Sequence, residues 1–261
     1  MPFPTISLPN YEVPLPSKPE LIYRFRPYVI KEEKVLFMTN LSEDKKEYSK
    51  AIRKLLVDCS LNPTFNEEFV EHLSYFDTEF LYLALRARSV GEIQEIEYTC
   101  NNMVSKNNDN ELKEPCSHKV LVPVDFTKIE VEFPPFHANS IKLTDDITIN
   151  FKYPSFEYVE SFSVKLEQIG TDVNKAYEAS LYYLSGLIDS VITADGVIGE
   201  KDFTIAEGAE WLQTLTSDSF NKIKVAYLDN VPRTILKTHF HCDKCGYDTD
   251  MTLEGLESFF E

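Results

Sequence analysis

The chain has 261 residues, 43% hydrophobic and 13% aromatic, enough to build a substantial core as one large domain or two modest ones. It carries 26 Lys and Arg against 43 Asp and Glu, a formal net charge of −17. That balance opposes nucleic-acid binding, which needs a basic patch, and suits solubility and docking against basic protein surfaces. No stretch approaches the ~18 apolar residues of a membrane span. Met1-Pro2-Phe3-Pro4-Thr5-Ile6-Ser7 has neither the basic nor the apolar region of a signal peptide. A chain that is not exported keeps its thiols reduced, so the five cysteines point to metal or core roles.

Residues 1–20 carry Pro2, Pro4, Pro9, Pro14, Pro16 and Pro19. Each proline fixes φ and removes a donor, which predicts an extended arm. Phe3, Ile6, Leu8, Tyr11, Val13 and Leu15 give that arm apolar side chains to lay on its own domain or on a partner. Leu21–Tyr28 alternates like a strand. Residues 21–91 then read as a helical part. A first helix covers Val29–Asn40, and a second, capped by Ser42, places Tyr48, Ile52, Leu55, Leu56 and Cys59 on one apolar stripe. Cys59 therefore reads as core. A short helix is expected over Phe65–Leu73. Asp77 is the expected cap of a helix through Arg88, apolar nearly all round and stopped near Gly91.

Residues 92–160 read as a β-rich middle. Glu92–Cys100 is a strand with Ile96, Tyr98 and Cys100 on one face. Asn101–Glu114 is polar and reads as a hairpin loop, and Lys119–Val124 is a second strand. Short strands follow at Ile129–Phe133, Ser140–Leu143 and Ile147–Tyr153. Residues 161–261 read as a helical part ending in a strand, a knuckle and an apolar tail. Asp172 caps a long helix in which Val173, Ala176, Tyr177, Leu181, Leu184, Leu187, Ile188 and Val191 recur at helical spacing. The Thr193–Asp202 segment lacks the carboxylates of a calcium loop and reads as a turn between helices. Helices are expected over Phe203–Leu215 and after Ser217, and a strand over Arg233–His241.

That last strand leads into Cys242-Asp243-Lys244-Cys245-Gly246. A Cys-x-x-Cys-Gly turn aims two thiolates at one point and supplies half of a tetrahedral zinc site. Cys100 and Cys116, one on each side of the polar loop, are the candidates for the other half. Four thiolates leave no open position for water, so such a site is structural rather than catalytic. His118, His239 and His241 are alternative ligands, and reduced core thiols are the plain alternative for the cysteines. A thioredoxin-like role is disfavoured, because that motif opens a helix whereas this one follows a strand.

No phosphate-binding glycine loop, nucleophile elbow or His-Glu-x-x-His is present. Three stretches together resemble a known family. They are Arg24–Leu36, with Arg26-Pro27-Tyr28-Val29-Ile30-Lys31-Glu32-Glu33-Lys34 at its centre; Phe76–Glu92; and the Cys242/Cys245 knuckle followed by Leu253-Glu254-Gly255-Leu256 and Phe259-Phe260. From about Arg24 onward the chain resembles the baseplate hub subunit and hub-assembly proteins of T4-like contractile-tailed bacteriophages.

The resemblance implies a virion or assembly role without catalysis, and partners among other baseplate and hub proteins. It implies a place in the host cytoplasm during assembly, and either residence in the tail baseplate or a transient assembly role, with self-association left open. It also supports Cys pairs at Cys100/Cys116 and Cys242/Cys245. The expected architecture is α+β: N-terminal and C-terminal helical segments around a β-rich middle with a zinc-ribbon-like four-cysteine site. The expected partner contacts are Phe3, Ile6 and Leu8 of the arm and Leu256, Phe259 and Phe260 of the tail. The competing readings are a peptidoglycan-degrading hub enzyme and a zinc-ribbon nucleic-acid binder.

Overall fold

A computed structural model describes residues 6–41, 45–106 and 109–256. It is a mixed α+β structure in which every paired strand runs antiparallel to its neighbour. The expected arm gives way to paired strands at residue 11, and residues 6–10 before it lie in no helix or strand. Tyr11–Leu15 (β1) pairs with Lys18–Phe25 (β2) as a hairpin, Tyr11 facing Phe25 and Pro14 facing Ile22. Proline is tolerated there because β1 is an edge strand. Leu15 is buried, and the Ser17 N–H donates to Asp77 Oδ1 at 2.9 Å, so the hairpin is part of the core.

The most specific stretch of the sequence has a structural purpose at the next corner. Arg26 donates to both carboxylate oxygens of Glu32, at 3.1 and 2.6 Å, and Glu32 also accepts the Val29 N–H at 2.8 Å. A bidentate Arg–carboxylate pair is the strong form of this contact, and here it pins the start of helix Ile30–Leu41 (α1) to the end of β2. Lys45–Cys59 (α2) buries Ile52, Leu55, Leu56 and Cys59 as its stripe required. Ser42, its expected cap, lies outside the described residues. Glu67–Glu71 (α3) is shorter than expected and is capped by Asn66.

Tyr75–Val90 (α4) is the buried helix, but its cap is Ser74 rather than Asp77. Ser74 Oγ accepts the Asp77 N–H, and the Asp77 carboxylate in turn accepts the Ser74 hydroxyl at 2.6 Å. A carboxylate three residues into a helix reaching back to its cap resembles a capping box, which explains why it reads as the cap itself.

One turn further on, Glu79 is only 2% exposed. Burial pushes its carboxyl up to about 7, against the pull of donors on Tyr75, Leu256 and Thr234. The folded chain therefore holds this proton at pH values where the unfolded chain has lost it. Stability from this group is full below pH 4.5 and falls as pH rises toward 7. Glu79→Gln should remove that slope while keeping an acceptor for the Leu256 N–H. We expect the variant to gain about 1–3 kcal/mol over the parent at pH 8 and almost nothing at pH 4.5, read by urea denaturation. Parallel pH profiles for the two proteins would refute this.

Ile93–Thr99 (β3), Met103–Lys106 (β4), Asp109–Pro115 (β5) and Lys119–Asp125 (β6) form two ribbons, β3 with β6 and β4 with β5. The polar segment expected as a hairpin loop thus carries two paired strands of its own. After a tight turn at Phe126–Lys128 comes Glu130–Glu132 (β7).

The chain then builds a second core. Ser140–Lys142 (β8), Thr148–Phe151 (β9), Ile188–Thr193 (β10) and Gly196–Gly199 (β11) form a sheet in the order β11-β10-β9-β8. Phe156–Ile169 (α5) packs Phe156 in the first core and Tyr158 against the second, while Val173–Ser185 (α6), Ile205–Gln213 (α7) and Ser217–Ile223 (α8) go with the sheet, the last running into a π turn at Lys224–Leu228. Ile149, Leu184, Ile188, Leu212 and Ile223 centre this core.

Several expectations fail here. Helix α5 begins inside the part read as β-rich, which extends to residue 160, and the sequence predicts no helix there. Helix α6 stops at Ser185, and Leu187, Ile188 and Val191 belong to the turn and strand that follow. The 193–202 segment begins with a hairpin turn, Thr193 facing Gly196. The cap of α8 is Thr216, not Ser217. The helix error has a specific cause. The register shifts between Ile188 and Ser190, and this bulge turns Ile188 and Val191 to the same buried face. Residues three apart then mimic a helical stripe.

Arg233–His241 (β12), with the bounds the sequence predicted, lies between β7 and Asp248–Glu254 (β13). It returns the chain to the first core, facing β7 at Arg233–Ile235.

Candidate metal centre

Strand geometry builds the first half of the site. The β3/β6 ribbon pairs Thr99 with Lys119, and the pairing continues past its end: Cys100 N–H donates to His118 C=O, Ser117 N–H to Cys100 C=O and Cys116 N–H to Asn102 C=O, at 2.8 to 2.9 Å. Ser117 takes a left-handed φ of 51° to make this turn. The long spacing between Cys100 and Cys116 is no obstacle, because the β4/β5 hairpin projects between them and closes on itself.

The second half is the turn between β12 and β13. Gly246 N–H donates to Cys242 C=O, and Cys242 N–H donates to Tyr247 C=O, both at 2.8 Å. Gly246 sits at φ +71°, where a side chain is strained, so glycine at this position serves the turn. Phe240 locks the two halves together. Its ring is fully buried and meets Tyr98 of β3 edge-on, centroids 4.8 Å apart.

The four sulfurs converge. Cys100 Sγ lies 3.7 Å from Cys245 Sγ, Cys116 Sγ lies 3.9 Å from Cys242 Sγ, and all four fall within 4.8 Å of one another. A tetrahedron of metal–sulfur bonds of ~2.3 Å has edges of about 3.8 Å, so the donor set fits a four-coordinate ion. Cys100, Cys116 and Cys242 are buried, and Cys245 is half-buried. Burial pushes the Cys100 thiol up to about 12 and raises Cys116. At Cys245 burial acts the same way, but the Tyr247 N–H, the Asn102 amide and the neighbouring thiols outweigh it and bring it down to about 6. The arrangement can hold a closed, fully thiolate-ligated ion with no position left for water.

Cys59 takes no part. It is buried on α2, with its thiol pushed up to about 12 by burial, as a core residue should be. The histidines weighed as ligands have other partners. His118 Nε2 is 2.9 Å from Asp243 Oδ1. His239 and His241 stand on the outer face of β12 beside Asp250 and Asp248 of β13. Two neighbours of the cluster were not singled out by sequence: Asn102, whose amide donates to Cys245 Sγ at 3.6 Å, and Lys244, whose ammonium donates to Cys116 C=O at 3.3 Å. Their closeness to the cysteines in sequence was the available signal.

With the fold and the cluster in view, the chain matches the family model described as T4 bacteriophage base plate protein over residues 8–261. The chain belongs to that family. No curated protein and no solved structure matches it. The match begins well before Arg24, so the arm from residue 8 and the β1/β2 hairpin belong to this baseplate family's pattern as well. Among the described residues no helix of this base plate protein is long and apolar enough to cross a membrane.

Proposed function

We propose that the chain is a non-catalytic structural or assembly component of the baseplate hub, kept in shape by one structural zinc ion on Cys100, Cys116, Cys242 and Cys245. It assembles with other hub proteins in the host cytoplasm. The observation that carries this reading is the convergence of two remote cysteine pairs, within a base plate family chain, on one closed sulfur cage. A cage without an open position does no Lewis-acid chemistry on a substrate. What it does is clamp the end of the β3/β6 ribbon to the β12/β13 turn within the first core.

The N-terminal arm is the proposed contact surface. Ile6 is 81% exposed, Leu8 is half-buried, and Phe3 lies outside the described residues. Of the tail residues, Leu256 is withdrawn from this role: it is 7% exposed, packs in the first core and donates its N–H to Glu79 at 3.3 Å. Phe259 and Phe260 lie outside the described residues and stay in the proposal.

The test is native mass spectrometry of the full chain with its hub neighbours, with metal content measured on the same sample. Removing residues 1–9 spares the β1/β2 hairpin, so the shortened protein should melt like the parent and lose its partners. Retained complexes would count against the arm. Absence of zinc, or visible absorbance from iron, would count against the metal assignment.

A further inference from the structure

Asn102 touches both halves of the sulfur cluster. Its backbone carbonyl accepts the Cys116 N–H at 2.8 Å, and its side-chain amide donates to Cys245 Sγ at 3.6 Å. The first contact ties it to the upstream pair and the second to the knuckle. The sulfur it reaches also belongs to the cluster's only half-buried cysteine. A dication held by four thiolates leaves excess negative charge on sulfur, and N–H donors stabilise that charge. A chelator or a proton enters where solvent reaches, so loss of the ion begins by detaching the most accessible ligand. The Tyr247 backbone N–H also serves Cys245, and Asn102 adds a side-chain amide at this weakest point of the cage, a donor that substitution can remove.

We propose that Asn102 is a positioning residue for the metal centre: its amide latches the Cys245 thiolate and slows release of the ion. The inference rests on the metal reading above and adds to it a single residue that sets how tightly the ion is kept. Lys244 serves a different point of the cluster: its ammonium donates to the Cys116 carbonyl, not to the Cys245 sulfur.

The test uses the full chain loaded with cobalt(II), whose sulfur-to-metal charge-transfer band reports on each thiolate, and with zinc. Asn102→Asp keeps the side-chain volume and the backbone bond to Cys116, but removes the donor and adds a like charge. Asn102→Ala removes the donor without the charge. Both should bind one ion, show a shifted charge-transfer band and lose zinc to a chelator about 10- to 100-fold faster than the parent. In the parent during chelation, Cys245 should alkylate before Cys242, and in both variants it should do so sooner. An unchanged band together with parental release rates in the two variants overturns the proposal, as does alkylation of Cys242 first. If the parent itself takes up no cobalt, the metal reading falls, a result distinct from the failure of the latch.

Discussion

Removing the metal should unfold the first core and leave much of the second standing. Structural zinc contributes about 10–16 kcal/mol of apparent folding free energy in small domains, as much as the whole net stability of a typical protein. The ligands here come from the β3/β6 end and the β12/β13 turn, so no local contact replaces the ion once three buried thiols and one half-buried thiol must be accommodated without it. The second core contains no cysteine and draws on Ile149, Leu184, Leu212 and their neighbours alone. A strong chelator should therefore cost the melting temperature about 10 °C or more, with partial rather than total loss of helical circular dichroism. Cys242→Ser should do the same and should purify without the ion. Cys59→Ala is the control: it opens a small cavity costing about 1–2 kcal/mol and leaves metal content untouched. A chelated protein that melts like the parent would remove the structural role of the site.

Phe240→Ala should be the most damaging single substitution near the site that touches no ligand. Phe240 is 0% exposed, meets Tyr98 edge-on and stands two residues before Cys242. Truncating a fully buried phenylalanine costs about 3–5 kcal/mol, because both transfer free energy and packing contacts are lost. It should also loosen the alignment of the two cysteine pairs, seen as weaker metal retention. The adjacent positions give the contrast. His239 and His241 point to the outer face, paired with Asp248 and Asp250. His241→Ala should change stability by no more than about 0.5 kcal/mol, as exposed positions do. Phe240→Leu should fall between the two. Equal effects at positions 240 and 241, measured by thermal and urea unfolding, would mean that the inward and outward faces of β12 are wrongly assigned.

These two expectations show where sequence was informative. The alternation that sets Phe240 against His239 and His241 is plain in the chain, and it bounds β12 correctly. The apolar stripe of α2, the burial of α4 and the core role of Cys59 come from the same local logic. Where a signal depends on structure elsewhere, reading fails. Nothing near Tyr11 announces that Lys18–Phe25 will pair with it, since six prolines dominate the composition. The bulge between Ile188 and Ser190 converts a strand into an apparent helical stripe, and only pairing with β9 reveals it. Helix α5 is missed because it begins within a few residues of the short strand β9, whose pattern carries the β reading past its end.

The sequence by itself determined the periodic elements, the sharp turn at Cys242–Gly246 and the presence of four thiols suited to one ion. Those features depend on dihedral preferences and side-chain spacing within a few residues. Tertiary structure decided that the two cysteine pairs meet, that Leu256 turns inward to Glu79 and that Asn102 lies against Cys245. Each of these joins groups more than a hundred residues apart, and such distances are set by how sheets pair and cores close, which no local pattern encodes.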